Sequence, residues 1–224
     1  EISGIIYDLY KDHQVQVYER EKLIYSRAGF VSYIQQRNRT EYGNQLSENE
    51  IKAVAEDMHI WYDARVFRQA LADWLLDAGF TNLKLYGNGW KDNPKYAPYA
   101  MGPAENGVTL SKIYQAAKVS LGNNIRVSAV ARVWETMLSG GFYMGCYIPP
   151  EEDLTDVRKI LREGENLVMY RDRKDLMAKL HYYLKDDAAR QKMVDKGRKA
   201  VLKYMTYDHF VDQLLDRLSE QMKP

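Results

Sequence analysis

The sequence is short of several things that would fix a function class at once. It holds one cysteine, Cys146, among 224 residues, which rules out an intrachain disulfide and fits a reducing compartment such as the cytoplasm. No apolar run approaches the roughly 20 residues that a bilayer-spanning helix needs, and no secretory leader is visible. Neither sign of charge dominates. Lys and Arg number 32 against 31 Asp and Glu, a formal net charge of +1, so no overall basic field argues for nucleic acid. The four histidines, His13, His59, His181 and His209, are scattered without an H-x-x-x-H pair or a cysteine partner, which argues against a metal site. No repeat or low-complexity segment occurs. The chain opens on Glu1 rather than Met, which reads as a fragment or a processed product.

What is present suits one medium domain with an appendage, at 46% hydrophobic and 28% charged residues. Residues 1–43 read as helical, with many tyrosines (Tyr7, Tyr10, Tyr18, Tyr25, Tyr33, Tyr42) and interspersed Lys, Arg and Gln. Aromatic and basic residues together can serve single-stranded nucleic acid. Here Asp8, Glu19 and Glu21 dilute the charge, and Ile5, Leu9, Leu23 and Val31 want a packing partner. A docking helix pair is therefore the expectation, and residues 1–63 are taken as a helical appendage that packs on another protein or on a missing part of the same one. Ser47 with Glu50 is a capping-box signal for a helix through Trp61. Asp63 would cap a second helix over 64–78, with Val66, Ala70, Trp74 and Leu75 inward and Gly79 at the stop position.

From there the pattern alternates. Strands are expected at 83–86, 118–122, 142–147 and 167–170, with helices at 111–117, 128–139, 153–162, 173–184, 187–203 and 207–222. The stretch 91–106 reads as a loop in which Lys95, Tyr96 and Tyr99 either cover a ligand or are merely exposed. Strands separated by helices imply a parallel sheet covered on both faces, with ligands at the carboxyl edge. Residues 64–224 are thus expected to form an α/β, Rossmann-like parallel sheet flanked by helices.

Right-handed crossovers place the 87–90 turn, 123–128 and 147–150 along that edge, and the first two carry candidate chemistry. Gly87, Asn88, Gly89 and Trp90 turn sharply out of a strand, and paired glycines let a backbone approach a ligand closely or simply make the turn. The stretch 123–141 opens a helix at Ser128, a candidate N-cap. Ser128, Arg132, Glu135 and Ser139 share one helical stripe, with Val130, Val133, Trp134 and Met137 opposite. Arg126 stands just ahead of the helix start, where backbone N–H groups and the positive dipole end favour an anion. Spacing alone equally describes an ordinary amphipathic helix with an intrahelical Arg132–Glu135 pair. Cys146 near a strand end reads as a buried structural thiol, since no base for it is identified. The run Glu151-Glu152-Asp153 reads as acidic helix-start chemistry, and 171–174 as a solvated helix start.

In order, Tyr86-Gly87-Asn88-Gly89-Trp90, the segment 110–121, Arg132-Val133-Trp134-Glu135 ending in Gly140-Gly141, then 164–170 with Asp175-Leu176, and 206–215, resemble the C-terminal, donor-binding half of GT-B glycosyltransferases. The similarity is to the group-1 branch that includes spore-maturation CgeB-like proteins, and it covers roughly residues 65–218. It implies a domain that binds a nucleotide-diphospho-sugar as donor substrate, with no other cofactor and no metal. Glu135 would bind the ribose, Arg126 or Arg132 the diphosphate, and the 87–90 turn would border the donor site. Two departures stand out. A second glutamate that many retaining members carry eight positions earlier is Val127 here, so retention or inversion and the sugar contact stay unassigned. Residues 1–60 are also too few and too helical to be the acceptor domain, which implies an excised donor half whose acceptor domain is missing. A non-catalytic nucleotide-binding or scaffold domain, and a tyrosine-rich partner module with an incidental α/β body, remain the competing classes.

Overall fold

A computed structural model describes residues 2–19, 23–24 and 26–221; the expectations that involve Glu1, Glu21, Tyr25 and Met222 fall outside the described residues. The N-terminal part is helical as expected. Helix α1 (Ile2–Tyr18) and α2 (Arg27–Thr40) precede α3 (Glu48–Asp57). Ser47 and Glu50 form the full capping box, each side chain accepting from the other's backbone N–H. The helix does not stop at Trp61. It widens into a π turn, Met58–Tyr62, and continues as α4 (Asp63–Asp77). The cap assigned to Asp63 is not needed, because Tyr62 occupies the N-cap position in helical conformation; the Asp63 side chain is not among the described ones. Gly79 follows the C-cap residue at φ 83°, a left-handed stop that suits glycine.

Two parallel sheets follow. β1 (Leu85–Tyr86) pairs with β2 (Ala100–Gly102), a strand inside the segment expected to be loop. The second sheet has the order β3-β4-β5, from Ser120–Leu121, Tyr143–Cys146 and Val168–Tyr170. Helix α5 (Val108–Ala116) enters β3, α6 (Ala131–Leu138) joins β3 to β4, and α7 (Arg173–Lys185), α8 (Asp187–Tyr204) and α9 (Tyr207–Gln221) close the described chain. The helix expected over 153–162 does not form. Only a short 3₁₀ turn, Val157–Lys159, is present, because Asp153 is drawn inward as a hydrogen-bond acceptor rather than capping a helix.

Side-chain alternation shows why the larger sheet is covered on both faces. Met144 and Cys146 of β4, with Val168 and Tyr170 of β5, pack on Phe67, Leu71 and Trp74 of α4 and on Leu176 and Leu180 of α7. Tyr143 and Met169 point the other way, onto Val133 and Met137 of α6 and Val201 of α8. Period-two strands sandwiched between helices give this three-layer arrangement. Cys146 is a buried thiol, outside any disulfide, within the first of those cores. The helical part has a separate core of Ile5, Leu9, Phe30, Ile34, Leu46, Ile51, Val54 and Met58. It is joined to α4 by Val17 packing in the sheet core and by Trp74 Nε1 donating to the Tyr18 carbonyl at 3.2 Å. Helix α9 contributes nothing to these cores, and Tyr207, Phe210, Val211, Leu214, Leu215 and Leu218 are exposed on it. Among the described residues no helix is long and apolar enough to cross a membrane.

Candidate functional site

The carboxyl end of β3 leads directly into the stretch singled out from sequence. Gly122 leaves the strand, and its carbonyl accepts from Tyr170 Oη at 2.7 Å. A Cβ at Gly122 would lie 2.0 Å from Tyr143 Oη, so only glycine lets the tyrosine ring lie across the strand end. Burial pushes the Tyr143 phenol well above its ordinary value, with Arg132 acting in the opposite direction. The chain then runs through Asn123 and Ile125 to Arg126, Ser128 and the start of α6.

That helix begins at Ala131, not at Ser128. The reason is local. The Ser128 backbone N–H donates to Asp153 Oδ1 at 3.0 Å, and its hydroxyl donates to Asp153 Oδ2. The same hydroxyl accepts from the Val157 N–H at 2.8 Å, and the Ala129 N–H donates to the Thr155 carbonyl at 2.9 Å. These bonds hold Ser128 buried and keep Val130 extended as the N-cap residue, with no side chain capping the helix. Ser128 is therefore a staple between the loops after β3 and β4, rather than an N-cap.

Arg126 is correspondingly five residues ahead of the helix. Its guanidinium reaches across to the helical part, where Nη1 donates to the His59 carbonyl and Nη2 to the Ile60 carbonyl at 3.1 Å. Both acceptors lie in the π turn. Arg132 and Glu135 remain on one exposed side of α6 while Val133 and Met137 are buried beneath them. Instead of an intrahelical pair, Arg132 Nη1 donates to Asn123 Oδ1 at 2.8 Å. Tyr114 of α5 stands beside both: burial raises its phenol, Glu135 raises it further, and Arg132 and Thr136 pull it down. A cation, a carboxylate and a phenol thus meet between α6 and α5, and the cation is tied by the Asn123 amide to the loop that leaves β3.

The turn at 87–90 belongs to the smaller sheet. Gly87 and Gly89 both have positive φ, 117° and 84°, and the Gly87 N–H donates to the Gly102 carbonyl at 2.9 Å. Trp90 is buried against Tyr96 and Ala72, with its Nε1 donating to the Tyr86 carbonyl at 3.3 Å, while Asn88 is exposed. The loop containing Lys95 and Tyr96 is anchored, since both side chains reach Asp73 Oδ1, at 2.6 and 2.9 Å.

Sequence reasoning missed a polar chain along the same edge. Arg158 Nη2 donates to the Ile148 carbonyl at 2.8 Å and its Nε pairs with Asp156 at 2.6 Å. The guanidiniums of Arg158 and Arg171 lie over the Tyr147 ring, 4.9 and 4.3 Å from its centroid. Arg171 makes a two-pronged pair with Glu163 at 2.7 and 2.8 Å. Nothing in local spacing announces bonds over 25 residues, as between Ser128 and Asp153. A strand end followed by an aromatic residue and facing arginines was the available signal. Elsewhere, an open groove of about 470 Å³ lies between α1 and α2, where Arg37 is already paired with Asp12 and Glu41.

With that geometry established, residues 64–216 match the model of a family described as glycosyl transferase-like. No curated protein and no solved structure matches the chain.

Proposed function

Because the chain belongs to the glycosyl transferase-like family, we propose that residues 64–224 are the donor-binding half of a GT-B enzyme of the group-1, CgeB-like branch. The reaction is transfer of a sugar from a nucleotide-diphospho-sugar to an acceptor. The observation that carries this is the shared exposed side of Arg132 and Glu135 on α6 next to Tyr114, with Arg132 tied to Asn123 at the carboxyl end of β3, inside the matched region. Open α/β sheets bind ligands at that edge.

The departing nucleoside diphosphate carries developing negative charge, which fixed cations and oriented N–H groups stabilise. Arg132 and the first turn of α6, which no side chain caps, offer both, and Arg126 stands on the same loop. This charge is supplied without a metal. Glu135 accepts from ribose hydroxyls, and Gly87, Asn88 and Gly89 border the donor from the smaller sheet. Residues 1–63 are a helical appendage that rests on α4 and turns its remaining faces to an acceptor half or another protein.

Removing one hydrogen bond to a charged group costs about 1.5–3 kcal/mol, so Glu135→Ala should weaken binding roughly ten- to a hundredfold. A thermal-shift panel of UDP, GDP, ADP and their sugars identifies the nucleotide, and calorimetry on Glu135→Ala and Arg132→Ala tests the site. Unchanged affinity in both variants would refute the assignment. A flat response to every nucleotide would refute donor binding altogether.

A further inference from the structure

We propose that Arg126 is a positioning residue that clasps the π turn of the helical part onto the loop at the end of β3, so that residues 1–63 set the nucleotide affinity of the donor edge. This rests on the donor reading for its functional consequence, but the clasp itself is visible without it. A π turn arises where one extra residue is accommodated inside an α-helix, and such turns are frequent at functional sites. Here two successive carbonyls, of His59 and Ile60, receive the two Nη groups of one guanidinium. The fork geometry of arginine suits that pair of acceptors.

The other side of the loop is equally fixed. The Arg126 carbonyl accepts from the Leu154 N–H at 3.1 Å, Ser128 is bound to Asp153, and the Ala129 N–H reaches Thr155. Asn123, at the start of the loop, holds Arg132 at 2.8 Å. The bonds to the π turn, to the loop after β4 and to the cation proposed to meet the diphosphate are thus all made from one short stretch, residues 123–129. The family match begins at residue 64, two residues after Tyr62 at the end of the π turn, so the clasp joins the shared domain to the part outside it. Carbonyl dipoles solvate a guanidinium without cancelling its charge, and a guanidinium has five N–H donors. Arg126 can hold the turn and still face an anion.

The test compares the full chain with Arg126→Gln, with deletion of Ile60, and with both together. Deleting Ile60 removes the extra residue of the π turn and reaches the donor edge through the bond to Arg126. Native-state hydrogen exchange is read at the amides of Ser128, Ala129 and Leu154. The expectation is at least tenfold faster exchange in each single variant, no further increase in the double, and unchanged exchange in β4 and β5. For whichever of UDP, GDP or ADP binds the unmodified chain, deletion of Ile60 should weaken affinity at least fivefold. Unchanged loop exchange in either single variant, multiplying effects in the double, or unchanged affinity on deletion of Ile60 would overturn the proposal. If the deletion fails to fold, Arg126→Lys replaces it: a lysine keeps the charge but not the fork, so wild-type loop protection in that variant would overturn the clasp. Failure of all three nucleotides to bind the unmodified chain would refute the donor reading, and the exchange comparison would still decide the clasp.

Discussion

Gly122 shows how one missing side chain shapes the site. The Tyr143 hydroxyl occupies the space that a Cβ would fill, 2.0 Å away, and the ring behind it is buried. Gly122→Ala must displace that ring or the strand end, and overpacking of this kind costs about 1–3 kcal/mol. Urea unfolding should show the loss. Asp156 makes a pH prediction at the same scale. Burial alone would raise its carboxyl, but hydrogen bonding to Arg158, from side chain and backbone, and the arginine's charge bring it below the ordinary value of 3.8. A carboxyl whose folded value is depressed contributes stability that is complete above its unfolded value and is lost as pH falls through the folded one. The pair should therefore contribute fully above about pH 4 and fade below it, and Asp156→Asn should flatten that acid limb in thermal melts. Residue types were readable at this scale and partners were not. Arg132 and Glu135 could be placed on one exposed side from spacing, whereas the commitment of Arg126 to carbonyls more than 60 positions away had no local trace.

Helices and strands reveal where local chemistry decides and where tertiary bonds override it. Ser47 and Glu50 satisfy each other's neighbouring N–H groups, so the start of α3 was legible from four residues. Ser47→Ala should cost about 1 kcal/mol, measured by denaturant unfolding followed by circular dichroism. Ser128 has the same residue type before an equally apolar run, yet the helix begins three residues later. Its N–H and hydroxyl meet a buried carboxylate from another loop, and a bonded extended segment beats a capped turn. The segment 153–162 fails as a helix for the reciprocal reason, since Asp153 is the acceptor of that bond. β2 was hidden because Ala100, Met101 and Gly102 have no alternating pattern and pair only with the two residues of β1.

Over the whole molecule, the core of the helical part and those of the sheets are distinct, and α4 carries the chain from one part to the other. The layering of the larger sheet followed from strands alternating with helices, because each strand is short, apolar and separated from the next by a helix-length segment. The split into two sheets did not follow, since pairing between β2 and β3 depends on how the 103–119 segment packs rather than on its composition. Helix α9 belongs to none of these cores. Its 15 residues bury none of their side chains, and isolated helices of about that length are marginal in water. The cheapest structure in the chain to lose is therefore its last helix. Brief digestion with chymotrypsin should cut around Tyr207 and Phe210 before any bond in 64–204, and the trimmed product should melt at the same temperature as the intact chain.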